Sequence, residues 1–186
     1  WLSISAALEH TCGVGADGSA WCWGFDSGGH LGVGVGVEMA QEPVRVDDAT
    51  WRDVRAGGHH TCGVHDDGSL WCWGLERAGA VTRPARVGMA SDWGALAVGN
   101  GHACGIRSDT LWCWGENGDG QLGDATTARR DDPVAVAGGG WSAIAAGASH
   151  TCAIDAAGAA WCWGSNLFGQ LGAPLGAPFS SVPPRV

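Results

Sequence analysis

The sequence predicts an all-β fold, a β-propeller built from four-stranded antiparallel blades, and three observations carry that expectation. A tryptophan-led phrase recurs four times, opening at Trp1, Trp51, Trp93 and Trp141. Repeats of roughly 40–50 residues belong to propeller blades or helical arrays. The chain holds 33 glycines and 7 prolines, distributed through every unit, so no stretch sustains helical periodicity. The short apolar runs between those glycines read as strands. In the second unit the runs are "WRDVRA" (51–56), "HTCGV" (60–64), "SLWCW" (69–73) and "PARV" (84–87), which makes four strands per unit.

The units span 1–50, 51–92, 93–140 and 141–186, and the whole chain, 1–186, reads as a single repeat domain. Each unit closes on a proline and a valine: "EPVRV" at 42–46, "RPARV" at 83–87, "DPVAV" at 132–136 and "PPRV" at 183–186. One unit alone is too small to bury both faces of its sheet and needs neighbours.

The centre of each unit is a hairpin with a cysteine on either arm. "HTCGVGADGSAWCWG" (10–24) returns as "HTCGVHDDGSLWCWG" from His60, "HACGIRSDTLWCWG" from His102 and "HTCAIDAAGAAWCWG" from His150. A three-residue loop Ala16-Asp17-Gly18, with Gly18 left-handed, sets Cys12 opposite Cys22. Loops Asp66-Asp67-Gly68 and Ala156-Ala157-Gly158 do the same for Cys62/Cys72 and Cys152/Cys162. The third hairpin has lost a loop residue and its bulge glycine together, and the two-residue loop Ser108-Asp109 still sets Cys104 opposite Cys113. Facing residues in an antiparallel pair lie roughly 4.5–5.5 Å apart between Cα atoms, and disulfides accept roughly 4.4–6.8 Å. Four hairpin disulfides are therefore expected, and with them an oxidising compartment: extracellular, cell-surface or periplasmic. Two alternatives remain open from the residues: reduced core thiols, and a metal held by His10, Cys12 and Cys22 and their counterparts, which lacks a standard zinc spacing.

The same pairing faces each hairpin tryptophan with a small residue: Trp21 with Gly13, Trp23 with Thr11, Trp71 with Gly63, Trp73 with Thr61, Trp112 with Gly105, Trp114 with Ala103, Trp161 with Ala153 and Trp163 with Thr151. Repetition at fixed positions points to packing between blades, with an indole covering each strand glycine. The functional alternative is a set of aromatic sites for sugars or methylated cations.

Net charge is −9 and there is no lysine among the ten basic residues. A nucleic-acid backbone or an anionic membrane is thus a poor partner, and no P-loop or Schiff-base lysine exists. The stretch "LGVGVGVEMA" (31–40) is too short and glycine-rich to span a bilayer. No signal-peptide pattern lies within the sequence. No catalytic, cofactor-binding or metal-binding residue is nominated. His10, His60, His102 and His150 recur in every unit and are expected to be structural, each donating to a backbone carbonyl of a neighbouring strand or turn. "ENGDGQLGD" (116–124) puts Asn117, Asp119 and Gly120 in step with a calcium loop, but its first position would be Gly115 and its twelfth Thr126, so a plain turn is expected. Unrepeated loop residues are the candidates for a specific site: Phe25, Asp26 and His30, Glu76 and Arg77, Arg129 and Arg130, and Phe168 and Phe179.

The recurring pattern, best seen in "GHACGIRSDTLWCWGENGDGQLG" (101–123) and "GASHTCAIDAAGAAWCWGSNLFGQLG" (147–172), resembles the repeat of the regulator of chromosome condensation family, in its cysteine-containing, bacterial or extracellular form. A cysteine-bearing relative also occurs in extracellular parts of some plant receptor kinases. The resemblance runs through all four units and implies a β-propeller, usually seven-bladed. The second unit departs from the pattern, having "LERAGAVTRP" where "GQLG" belongs, and the first has only "GGHLG". Four blades closing alone, belonging to a longer propeller, or assembling between copies are all open. The family's eponymous member is an exchange factor for a small GTPase that binds chromatin, and another relative is a secreted β-lactamase inhibitor; neither partner transfers residue by residue. The expectation is a non-enzymatic extracellular or cell-surface module, acting as a protein-binding or structural scaffold, without cofactor, nucleic acid or membrane insertion. Its alternatives are a self-assembling subunit, a secreted enzyme inhibitor, and a propeller lyase or hydrolase.

Overall fold

The computed structural model describes residues 1–76, 79–172 and 179–186, and every regular element among them is a strand. The chain divides into two compact units, Trp1–Trp93 and Gly94–Val186. The first holds the sheets β1 (Ser3–Ala6), β2 (His10–Val14), β3 (Ala20–Phe25), β4 (Met39–Arg45) and β5 (Trp51–Ala56), β6 (His60–His65), β7 (Leu70–Glu76), β8 (Gly79–Arg86). The second holds β9 (Trp93–Val98), which starts at the boundary residue, β10 (His102–Arg107), β11 (Thr110–Gly115), β12 (Arg130–Ala135) and β13 (Trp141–Ala146), β14 (His150–Asp155), β15 (Ala160–Ser165), β16 (Phe179–Ser180). Each sheet is a meander of sequential neighbours. That is the local-pairing pattern short turns produce.

The middle hairpins hold the register that turn chemistry dictates. Cys12 pairs with Cys22, Cys62 with Cys72, Cys104 with Cys113 and Cys152 with Cys162. Gly18, Gly68 and Gly158 are left-handed, with φ of 81°, 80° and 81°. The shortened third turn is made by Ser108 and Asp109 at φ 47° and 62°. Both central residues are left-handed, as in the two-residue turn whose twist matches a hairpin. All eight cysteines are joined across these pairs, each with Cα atoms 4.1 Å apart.

In the first two hairpins the loop also fixes a tryptophan. Asp17 Oδ1 accepts from the Ser19 N–H and hydroxyl, and Ser19 Oγ accepts from Trp21 Nε1 at 2.7 Å. Asp67, Ser69 and Trp71 repeat the chain of bonds. These bonds hold both aspartate carboxyls below the usual range.

The facing pairs read from the sequence hold in the ladder, Trp21 with Gly13 and Trp71 with Gly63, but the indole nearest the space each glycine leaves is a different one. The indole lying against Gly13 is Trp1, just before β1, and that against Gly63 is Trp51, which opens β5, rather than the indole of the facing strand. A Cβ on Gly63 would stand 2.6 Å from Trp51 Cζ3. Trp51 is buried beside Trp73, with ring centroids 5.5 Å apart, and Trp141 lies 6.1 Å from Trp163. Trp73 anchors the core of the first unit with Val14, Leu31 and Val54. Trp163 anchors that of the second with Leu111, Leu122 and Trp141.

Candidate functional site

Two of the recurring histidines, His10 and His102, meet a recurring threonine. His10 Nε2 lies 2.7 Å from Thr61 Oγ1, and His102 Nε2 lies 3.0 Å from Thr151 Oγ1. Each threonine hydroxyl donates onward to a carbonyl, Thr61 to His30 at 2.9 Å and Thr151 to Gln121 at 2.8 Å. A hydroxyl has one proton, so the imidazole must supply its own from Nε2. The same two carbonyls accept from the indoles of Trp73 at 2.8 Å and Trp163 at 2.9 Å. This clasp joins one sheet to the next inside each unit. It corrects the expected His-to-carbonyl bond for His10 and His102: a hydroxyl stands between imidazole and carbonyl.

The loop that offers the carbonyl is itself built by a side chain. Asp26 Oδ1 accepts from Leu31 N, Asn117 Oδ1 from Leu122 N and Asn166 Oδ1 from Leu171 N, at 2.9, 3.0 and 3.1 Å. The leucines are buried. Asn117 Nδ2 donates to the carbonyls of Thr126 and Ala128 and to Asp124. Asn117 therefore acts as a loop organiser. Among the described residues no group of three His, Cys, Asp or Glu side chains is placed to hold a metal.

The glycine after Leu31 and the one after Leu122 admit the neighbouring indole. Gly32 and Gly123 have φ of 73° and 69°, and a Cβ on either would sit 2.7 Å from the Nε1 of Trp73 or Trp163. We expect Gly123→Ala to destabilise the chain by about 2–3 kcal/mol, combining left-handed strain with overpacking. Urea unfolding followed by tryptophan fluorescence measures it. A loss below about 0.5 kcal/mol, the ordinary surface value, would contradict the clasp geometry.

Burial governs the titration of the first clasp. His10 is pushed down to about 4 by desolvation and then by His30, whose ring is stacked 5.3 Å away. Among the described residues His10 Nδ1 is buried without an acceptor, so a second proton there finds no partner in them. His30 is also lowered, by burial first. The folded state thus binds fewer protons than the unfolded one between the ordinary histidine value of 6.5 and about 4. Stability is complete above pH 6.5 and falls as pH drops toward 4. Urea midpoints measured across that window show the decline, and His10→Gln flattens it; an unchanged slope in that variant would refute the assignment.

Of the unrepeated candidates, Asp26 and His30 are buried and belong to the clasp loop. Burial raises the Asp26 carboxyl, against the Leu31 N–H that lowers it. Arg129 bonds Glu116 and Asp131, and Arg130 bonds Asp124, so both pair with carboxylates between the end of β11 and the start of β12. Arg77 and the side chain of Glu76 lie outside the described residues. Phe25, Phe168 and Phe179 are exposed, Phe168 at 91%. Sequence reading did not single out Leu2, Ile4 and Leu8, which with Trp1 leave exposed apolar side chains along and beside β1. Alternation in "SISA" marks an outward Ile4, but only the structure shows it exposed.

Structural likeness agrees with this geometry. Yeast RCC1 (Prp20), solved bound to Kap60, superposes with a TM-score of 0.86 at 21% identity, over 99% of this chain and 48% of that one. Human WBSCR16 gives 0.85 at 19% identity, over 99% and 52%. The CRINKLY WD40 ectodomain of the Arabidopsis thaliana receptor kinase ACR4 gives 0.53 at 22%, over 98% and 52%. The chain therefore spans about half the length of these structures, and its sheets are blades of the same propeller fold. No curated protein sequence is a significant match. Two models of the regulator of chromosome condensation (RCC1) repeat match, one over residues 17–64 and 108–154, the other over 51–80 and 141–170. With half of its length under one of these models and the repeat's Asn, Leu and Gly positions each given a structural role, the chain belongs to the RCC1 repeat family.

Proposed function

We propose that this chain is a non-enzymatic protein-binding module that works in an oxidising compartment, extracellular, at the cell surface or periplasmic. The observation that carries the reading is the bridge across every middle hairpin, since such bonds persist outside the reducing cytosol. His10, His102, Thr61, Thr151, Trp73 and Trp163 are engaged in holding sheets together, and exposed unrepeated residues such as Phe25 and Phe168 stand free of that role for a partner. Protein partners have precedent in the yeast RCC1 complex with Kap60. The acidic balance of −9 favours a partner with basic character over nucleic acid.

Two measurements test this. Intact mass before and after reduction should differ by about two mass units per bridge. Crosslinking of the purified chain in the secreted and envelope fractions of its source should then join exposed loop residues to one defined protein. An unchanged mass on reduction, or turnover of a small molecule in the absence of any crosslinked partner, sinks the reading. The exposed apolar side chains about β1 support a second reading, self-association. Light scattering separates the two, because a monodisperse species of 18.9 kDa argues for the monomer.

A further inference from the structure

One position of the hairpin changes character in every sheet. Three residues after the first cysteine stand Gly15, His65, Arg107 and Asp155. In the second sheet His65 stacks on Trp71, centroids 4.7 Å apart, and meets Trp51 edge-on at 4.1 Å. It fills the angle between the two indoles. In the third sheet Arg107 places its guanidinium 4.6 Å from the centre of the Trp112 ring. Twice, then, the chain lays a planar, cation-capable group of its own on this tryptophan.

The fourth sheet keeps the indoles and lacks the group. Trp141 and Trp161 stand at 82° with centroids 6.3 Å apart. Asp155 turns into its hairpin: Oδ1 accepts from Ala157 N and Ala159 N, and Oδ2 from Trp161 Nε1, each at 2.9 Å. A partly open cavity of about 90 Å³ remains, lined by Gly138, Gly139, Trp141, Asp155, Trp161 and Pro183. A second substitution deepens the difference. Trp51 Nε1 donates to Asp47, whereas the residue four before Trp141 is Ala137, which also lines the cavity. Trp141 is only 4% exposed, and its Nε1 is buried without an acceptor among the described residues.

We propose that this cavity receives the guanidinium of an arginine side chain on a partner polypeptide, a site that rests on the protein-binding reading above. Two indoles line it, set at 82° to one another, and an indole is the side chain that best attracts a cation. Asp155 supplies the charge; its bond from Trp161 and those from the turn amides hold it ionised, and Oδ2 keeps a lone pair for one N–H. The volume is that of about three water molecules, enough for a small planar head and too small for a pyranose. Arg185 pairs by backbone with Trp161 and lies close enough to lower the Asp155 carboxyl, but it is exposed and does not line the cavity.

The test is a titration of the ¹⁵N-labelled chain with N-acetyl-arginine amide, read at the indole N–H resonances. Trp141→Phe and Trp161→Phe assign the two peaks that matter. The expected result is saturable movement of those two alone, with a dissociation constant in the millimolar range, roughly what a single cation–π and ion contact provides. N-acetyl-citrulline amide, which is nearly isosteric and neutral, binds at least about five-fold more weakly. Asp155→His rebuilds the filled second-sheet arrangement and abolishes the movement while the other indole peaks stay in place. Equal binding of citrulline, undiminished binding by Asp155→His, or movement spread over many indoles overturns the site. If arginine amide fails but a crosslinked protein partner is found, this cavity is excluded and the protein-binding reading stands. If arginine amide binds and no partner crosslinks, the failure lies with that reading.

Discussion

Reduction under native conditions should proceed in order, with Cys152–Cys162 opening first, and should end in unfolding. The sulfurs of Cys12, Cys22, Cys62, Cys104 and Cys113 belong to residues with no exposed surface, whereas Cys152 is part-exposed and Cys162 is 8% exposed. A thiolate must reach a sulfur to exchange with it, so access ranks the bridges. Each bridge closes a loop of about ten residues, worth about 2.5–3 kcal/mol on the chain-entropy account. The four together rival the ordinary stability of a domain, about 5–15 kcal/mol. Quenching with an alkylating reagent at intervals, followed by peptide mass spectrometry, reads the order. Tryptophan fluorescence reads the collapse. A Cys62→Ala/Cys72→Ala double variant isolates one bridge and should lose about 2–3 kcal/mol in urea. A fully reduced chain that melts with the oxidised one would refute the claim that the bridges carry stability. Random order of reduction would refute the burial argument.

Sequence reasoning reached the hairpins because their chemistry is local. Turn length and a left-handed glycine set the register, the register sets which residues face each other, and the third hairpin shows the logic surviving a deletion. The clasp was not legible, because it depends on which face of one sheet meets the next. His10 and Thr61 lie in different units of the repeat, and nothing in "HTC" says that its histidine bonds the threonine of the following copy rather than a carbonyl. Which indole packs nearest Gly63 is illegible for the same reason, although the facing of Trp71 and Gly63 holds. Facing across the ladder is readable from spacing, but contact above the sheet face depends on side-chain direction, and Trp51 from the first strand lies there. Of the loop candidates, Asp26 and His30 turned inward because the loop wraps around Leu31, an arrangement set by one Asx bond. The third unit also shows where the pattern breaks: Ala103 stands in place of the clasp threonine.

Truncating the clasp indole should be the most damaging single substitution in either unit. Trp163 has no exposed surface, packs on Trp141 and Leu122, and gives its N–H to the Gln121 carbonyl. Trp163→Ala should cost about 3–5 kcal/mol from packing and cavity. Trp163→Phe separates the terms. It keeps most of the apolar contact and loses the indole donor, leaving the Gln121 carbonyl with Thr151 alone, and should cost about 1–3 kcal/mol. Thr151→Val removes the other donor and strands the proton of His102 Nε2 against a methyl group, at a similar cost. Because indole and hydroxyl share one carbonyl, the two losses should not add. The double variant Trp163→Phe/Thr151→Val exposes a buried carbonyl with neither donor, and a coupling energy of about 0.5–3 kcal/mol is the expected result of the cycle. Strict additivity in urea unfolding would mean that the three groups act separately, and the clasp would then be a set of independent contacts rather than the joint between sheets.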